Sequence, residues 1–260
     1  MAVNWDEIQR SISPLKDYED LAQRFQASFT YPFVRDMFNF TLPALGDYTH
    51  RLLGGDARHR YDGYLESLED TLAGLSQAGV VDVLDLVART RTRLDLQVFT
   101  EQNRIDAVDV ARLLKYLVYW FIPGEKYLSG LIRPDQGLKV AIKTLGGLGL
   151  RTNLQLLAQG RVPEGRQALV ESGRLPEEVI NKLVNIADFS RLPWSSKATI
   201  ANIIGAGYPS MKALAAADPE QLYAAFFSYG ASIGKNLKLG NEIENSYRIA
   251  RIVPALVQVV

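Results

Sequence analysis

Cysteine is absent from the 260-residue chain, and histidine occurs only at positions 50 and 59. The first absence excludes disulfides, thiolate metal sites and cysteine nucleophiles. A long hydrophobic run is also missing, because the longest apolar stretch, Leu113 to Ile122, has about ten residues and contains Lys115, whereas a membrane span needs about 20. We therefore expect no membrane span. Since no ligand pattern surrounds the two histidines and neither a dinucleotide-binding motif nor a P-loop is present, we also expect no metal site and no cofactor.

The N-terminus has no basic region followed by an apolar run, so it does not resemble a secretory signal. Together with the absence of cysteine, this favours a reducing cytoplasm as the location. The net charge of the chain is zero, but the charges are unevenly distributed. Residues 1–130 contain 14 Lys and Arg against 19 Asp and Glu, and residues 131–260 contain 15 Lys and Arg against 10 Asp and Glu. This mild asymmetry is compatible with a basic C-terminal half that touches nucleic acid, or with attraction between the halves.

Apolar residues in the first half recur at spacings of three and four, which is typical of amphipathic helices. This pattern predicts helices at 15–29, 57–76, 80–98 and 106–121. Nothing from 1 to 130 alternates with period two over a useful length. The sequence therefore predicts an all-α protein whose residues 1–130 form a helical bundle.

Turns come closer together after Ile122-Pro123-Gly124, which indicates a second domain of short helices over residues 131–260. Gly207 suits the left-handed position that ends a helix, and a further short helix is predicted over 210–216. Asp218-Pro219-Glu220 then supplies an N-cap, a proline at the first helical position and an acid in the first turn. This order of elements is the outline of a helix-hairpin-helix unit.

Two segments of the second domain resemble each other at a spacing of 58 residues. Each reads as a helix, a glycine-marked stop and a short helix. The corresponding pairs are Lys139 and Lys197, Ile142 and Ile200, Gly147 and Gly205, Gly149 and Gly207, Thr152 and Ser210, Leu156 and Leu214, and Ala158 and Ala216. A duplication predicts such pairs, although two similar helix ends also produce several of them.

Residues from about 147 to 254 resemble an uncharacterised bacterial family, a domain of unknown function built from helix-hairpin-helix units. The resemblance depends on the order and spacing of several short stretches, and it covers about two fifths of the chain. These are Gly149-Leu150-Arg151-Thr152 with Leu156-Leu157, Pro163-Glu164-Gly165-Arg166, Ala187-Asp188-Phe189-Ser190-Arg191-Leu192, Gly207-Tyr208 with Leu214-Ala215, and Asp218-Pro219-Glu220-Gln221-Leu222. The resemblance implies a compact all-α fold and no known enzymatic activity.

Helix-hairpin-helix units bind duplex DNA because their hairpin glycines bring backbone N–H groups against a phosphate. The resemblance implies Gly-X-Gly directly after the turn at Pro193, where this chain has Trp194, Ser195, Ser196 and Lys197. The two serines and the lysine can bind a phosphate through their hydroxyls and charge, and the alternative is that the serines cap a helix. We expect Trp194 to pack in a core or at an interface, and the alternative is that it stacks on an unpaired base. The hairpin is thus predicted to be degenerate.

No pattern of residues indicates a catalytic site, so the sequence favours a non-enzymatic scaffold or adaptor. The expected partner is another protein or a second copy of the chain. The alternative is non-specific nucleic-acid binding by the basic C-terminal half. The residues that we expect to contact either partner are Lys139, Arg151, Arg191, Trp194, Ser195, Ser196 and Lys197.

Overall fold

A computed structural model of the protein describes residues 3–55, 59–193, 195–237, 241–253 and 255–258, and it describes side chains in these ranges outside 241–245. These residues contain seventeen α-helices and no β-strand, which confirms the prediction of an all-α protein. The chain divides into two compact units, unit 1 at residues 1–124 and unit 2 at residues 125–260.

Unit 1 contains eight of the described helices and a π-helical turn. The helices are α1 (Trp5–Ile12), α2 (Tyr18–Phe29), α3 (Pro32–Phe38), α4 (Leu42–Leu53), α5 (Asp62–Gln77), α6 (Val83–Arg89), α7 (Arg93–Asn103) and α8 (Ala107–Tyr116), and the π-helical turn is Leu117–Phe121. Helix α8 is central to the packing, because α1, α2, α5 and α7 all contact it. Its apolar stripe is fully buried at Val110, Leu113 and Leu114.

Unit 2 contains the other nine. They are α9 (Leu128–Leu131), α10 (Gln136–Gly147), α11 (Asn153–Gly160), α12 (Pro163–Gly173), α13 (Glu177–Phe189), α14 (Lys197–Gly205), α15 (Met211–Ala215), α16 (Pro219–Ser232) and α17 (Asn241–Ala250). Helix α13 lies at the centre of this unit, in contact with α9, α10, α11, α12 and α15. Its buried face explains this position, since Ile180, Leu183 and Val184 have no exposed surface.

The predicted single helix over residues 80–98 is wrong, because the chain forms α6 and α7 there. The side chain of Thr92 accepts a hydrogen bond from the backbone N–H of Asp95 and so caps α7. Asp82 caps α6 in the same way through the N–H of Asp85. Two N-cap residues within one apolar pattern start two short helices, and the periodicity alone does not reveal the break.

Helices α5–α8, α10–α13 and α14–α17 repeat one pattern of four helices. In each, the first helix ends at a glycine with a positive φ angle, and a Ser, Thr or Asp three residues later caps the second helix. These glycines are Gly79, Gly149 and Gly207, with φ of 74°, 84° and 97°, and the caps are Asp82, Thr152 and Ser210. A positive φ is strained for residues with a Cβ, so glycine is favoured at this position.

The third helix of each set also ends at a left-handed residue. These residues are Arg104, Arg174 and Gly234, with φ of 57°, 50° and 65°. The residue after each one donates its N–H to a carbonyl five positions back, from Ile105 to Thr100, from Leu175 to Val170 and from Lys235 to Gly230. In every set the first helix packs against the fourth. The repeated segment therefore extends into unit 1, beyond the two copies seen in the sequence.

Candidate functional site

The connections between the first two helices of each set are named hairpin 1 (α5–α6), hairpin 2 (α10–α11) and hairpin 3 (α14–α15). All three use the same hydrogen bonds. The N–H of the residue after the glycine bonds a carbonyl five positions back, from Val80 to Leu75, from Leu150 to Leu145 and from Tyr208 to Ile203. The capping side chain then accepts from the N–H of Asp85, Gln155 or Ala213. The hairpins thus share one backbone design.

Hairpin 2 has an exposed turn. A Cβ added at Gly147 or Gly149 would meet no atom within 4 Å, and Leu148 between them is 44% exposed. The N-terminus of α11 is closed by a capping box, in which the Gln155 carboxamide oxygen accepts from the N–H groups of Arg151 (2.7 Å) and Thr152 (3.1 Å). Approach to hairpin 2 is therefore open, but these two backbone donors are already used.

A buried polar cluster fixes hairpin 2 on the chain around Ser190. Asn153 has no exposed surface and donates from its amide to the Ser190 hydroxyl at 2.8 Å. The side-chain carbonyl oxygen of Asn153 accepts a hydrogen bond from the backbone N–H of Lys126 at 2.7 Å. The Lys126 ammonium in turn donates to the backbone carbonyl of Ser190 at 2.7 Å. Each polar group of this cluster thus has a partner, as burial requires.

An ion pair between Asp188 and Arg191 lies next to this cluster. The two side chains are each 3% exposed, and the guanidinium Nε donates to the carboxylate at 2.6 Å. Burial raises the pKa of Asp188, and the neighbouring Arg191 opposes that shift. The pair holds the turn after α13, and its charges do not reach solvent.

Hairpin 3 differs from hairpin 2 in what surrounds its turn. A Cβ added at Gly205 would overlap the ring of Tyr229, so this glycine lets α14 pack closely against α16. Pro209 lacks an N–H, and Ala213 occupies the position that Gln155 has in hairpin 2. In the described part of the chain no group accepts from the N–H groups of Ser210 and Lys212. Hairpin 3 therefore keeps one donor, the N–H of Ser210, whose counterpart at Thr152 is used in hairpin 2.

The segments that form hairpins 2 and 3 contain only positive charges, while the Glu125 carboxylate, from outside these segments, accepts a hydrogen bond from the Thr152 hydroxyl of hairpin 2 at 2.8 Å. Residues 136–160 and 189–217 include lysines and arginines but no Asp or Glu. The exposed cations of these segments are Lys139, Lys143, Arg151, Lys197 and Lys212. Among the described residues, none of the five has a carboxylate within 4.0 Å. These cations are consequently available to an anionic ligand.

Hairpin 1 is closed by its own side chains. The Arg89 guanidinium donates to the carbonyls of Ala78 (3.1 Å) and Gly79 (3.0 Å), and its Nε donates to Asp85 at 2.9 Å. Asp85 also accepts the N–H of Val81 at 3.1 Å. This arginine lowers the pKa of Asp85 through the hydrogen bond. Hairpin 1 therefore has the same backbone as the others, but its own Arg89 and Asp85 bind the backbone groups of its turn.

The residues predicted to form the site lie in different environments. Lys139, Arg151 and Lys197 are exposed, whereas the charge of Arg191 is buried against Asp188. Ser196 caps α14 by accepting the N–H of Thr199 at 3.1 Å. The Ser195 hydroxyl is buried, and no hydrogen-bond partner for it is found among the described residues. Trp194 lies outside the described residues.

Sequence reasoning sought the hairpin glycines after Pro193 and did not select Lys143 or Lys212. The structure places Gly-X-Gly at 147–149 and 205–207, within hairpins 2 and 3. The signal that pointed to these positions was the spacing of 58 residues, which paired Gly147 with Gly205 and Gly149 with Gly207. On its own, this spacing indicates a possible duplication and does not indicate a binding surface.

Membrane-spanning helices and clusters of metal ligands are both absent from the described ranges. No helix there combines the length and the apolar character needed to cross a membrane. No group of three or more His, Asp or Glu side chains there is close enough to hold a metal ion.

Comparison with known proteins gives one match. The model of a family described as a domain of unknown function, DUF4332, matches residues 136–238. No curated protein and no solved structure matches the chain. The matched range contains hairpins 2 and 3 and leaves out hairpin 1, so the similarity to the family concerns unit 2.

Proposed function

We propose that unit 2 binds the phosphate backbone of nucleic acid without sequence specificity, and that hairpins 2 and 3 act as helix-hairpin-helix units. The protein in this proposal is a binding protein and not an enzyme. The observation that supports the proposal is the positive charge of both hairpin segments, whose five exposed cations have no carboxylate within 4.0 Å among the described residues. Lys143, Arg151 and Lys212 are the ones nearest to the two turns in the sequence. This is the surface that a regularly spaced row of phosphates would contact.

Duplex DNA has one negative charge per ~1.7 Å of its axis and a layer of condensed counterions. A protein cation that contacts a phosphate releases a counterion, so affinity falls as salt rises. Contacts of this type position a protein but do not read bases. Residues 136–160 and 189–217 contain no Asp or Glu, so repulsion of a phosphate comes only from carboxylates outside these segments, such as Glu125 at hairpin 2.

The test is binding of a fluorescent DNA duplex by the full chain, measured by anisotropy over a series of NaCl concentrations. We expect log K to fall linearly with log salt. Replacing both Lys143 and Arg151 with Gln should lower the slope by about two units, one for each phosphate contact. Lys16→Gln in unit 1, whose side chain is 87% exposed and 3.9 Å from Asp17, is the control for one charge lost outside unit 2 and should leave the slope unchanged.

Affinity that does not depend on salt would contradict the proposal, as would equal binding by a neutral control protein. So would a slope that is the same for the wild type and the variant. An effect of Lys16→Gln as large as that of the variant would show that binding depends on total charge and not on the hairpins.

A second candidate function is binding of a protein partner or of another copy of the chain. It is favoured by the exposed aromatic residues of α16, where Tyr223 is 47% and Phe227 is 70% exposed. The two lie four positions apart and share one face of the helix. Exposed apolar surface of this type is common at protein interfaces.

Light scattering coupled to size exclusion tests this second function. A mass above that of one chain should return to that of one chain in Phe227→Ser. Leu94→Ser is the control, because Leu94 is 67% exposed but lies on α7 of unit 1. A single-chain mass at every protein concentration, with no partner retained from the native lysate, would exclude it.

A further inference from the structure

An open cleft lies beside hairpin 3, where α15 meets the end of α17. It has a volume of about 300 Å³. Its apolar side consists of Met211, Ala215, Ala250 and Val253, and its charged groups are Lys212 and Arg251. The cleft thus combines two cations from separate helical elements with an apolar floor, within the unit that contains hairpins 2 and 3.

Arg251 is held in place by Tyr247. Its guanidinium lies over the tyrosine ring, 5.6 Å from the ring centre, and its Nη1 donates to the tyrosine hydroxyl at 3.2 Å. That hydroxyl donates to the carbonyl of Ala217, just after α15, at 3.0 Å. The guanidinium therefore has a fixed position relative to α15, which reduces the conformational entropy that a ligand would have to remove.

Neither cation of the cleft is neutralised within the described part of the chain. No described carboxylate lies within 4.0 Å of Lys212 or Arg251. Both residues are exposed. Arginine presents two parallel N–H donors that match a phosphate, and lysine adds a compact charge.

We propose that this cleft binds a backbone phosphate of the nucleic acid that hairpin 3 contacts. Arg251 binds the phosphate oxygens, Lys212 adds a second positive charge, and the apolar floor contacts the sugar. This inference rests on the proposed function and adds to it a contact from α17, which comes after the residues matched by the family model.

The cleft is tested with the full chain in the same salt-dependent anisotropy measurement. Arg251→Gln and Lys212→Gln should each lower the salt slope by about one unit and weaken binding by about 3–10-fold at moderate salt. Tyr247→Phe keeps the charge but removes the hydroxyl, so it should weaken binding less and leave the slope unchanged. Lys235→Gln, another exposed lysine of unit 2, is the control for charge alone.

The outcomes separate the cleft from the proposed function. If the Lys143 and Arg151 variant loses slope but Arg251→Gln does not, the cleft proposal is wrong and the proposed function stands. If the wild type shows no salt-dependent binding, both are wrong. If inorganic phosphate binds at Arg251 while DNA affinity is unchanged in Arg251→Gln, the cleft is a small-anion site and the proposal is overturned. Equal losses in Lys235→Gln would also overturn it.

Discussion

Hairpin 1 of unit 1 and hairpins 2 and 3 of unit 2 have the same backbone but differ in how the charges near the turn are paired. In hairpin 1 the turn carbonyls accept from Arg89, whose charge is balanced by Asp85. In hairpins 2 and 3 the nearby cations have no described anionic partner. The backbone requires a glycine with positive φ and a capping side chain, and it leaves the remaining positions free. One helical design thus supports a closed turn in one unit and a cationic surface in the other.

The units also differ at the turn that follows the fourth helix of each set. Gly79 and Gly149, like Arg104 and Arg174, are seventy residues apart. At the same spacing, Val118 and Phe121 of unit 1 are the sequence equivalents of Asp188 and Arg191 of unit 2. Unit 1 thus has apolar side chains and a π-helical turn where unit 2 has a buried ion pair.

Breaking this ion pair should give the largest effect on stability. Asp188→Asn keeps the shape but removes the carboxylate that pairs with the buried Arg191, which costs about 3–5 kcal/mol. Urea unfolding followed by circular dichroism measures this loss. Replacing both residues with the apolar pair Asp188→Val and Arg191→Met should cost less. A loss below about 1 kcal/mol for Asp188→Asn would show that the pair is not buried as described.

A smaller effect is expected from the glycines that hairpins 2 and 3 share. Gly205→Ala places a Cβ against the ring of Tyr229 and should destabilise unit 2 by about 1–3 kcal/mol. Gly147→Ala is the matched change, and because nothing lies near its Cβ it should be neutral or stabilise the helix by about 0.5–1 kcal/mol. Thermal melts of both variants measure the contrast, and equal shifts would contradict it.

The smallest effect concerns the closure of hairpin 1. Arg89→Gln removes a partly exposed ion pair and two hydrogen bonds, for a loss of about 1 kcal/mol at neutral pH. Because Arg89 lowers the pKa of Asp85, this contribution is present above the ordinary carboxyl pKa and is lost as pH falls through the lowered one. The difference between variant and wild type should therefore shrink below about pH 4. A constant difference in acid would exclude this role of Asp85.

Local patterns in the sequence were sufficient for the helices and several of their ends. Spacings of three and four predicted the helical class, and Ser210 and Asp218 cap α15 and α16 as short-range rules require. The break between α6 and α7 was missed, because a threonine cap inside an apolar pattern gives a weak signal. Of the residues that the sequence predicts to contact a partner, Lys139, Arg151 and Lys197 are exposed, whereas Arg191 is buried in an ion pair.

The sequence by itself determined the all-α class, the glycine positions and the sign of charge near each hairpin, because these depend on residues close together in the chain. The tertiary structure decided which of these residues are accessible. Only packing shows that Arg191 pairs with Asp188, that the Tyr229 ring occupies the space beside Gly205, and that Arg251 shares a cleft with Lys212. Burial and pairing between distant segments are long-range properties, and no local pattern encodes them.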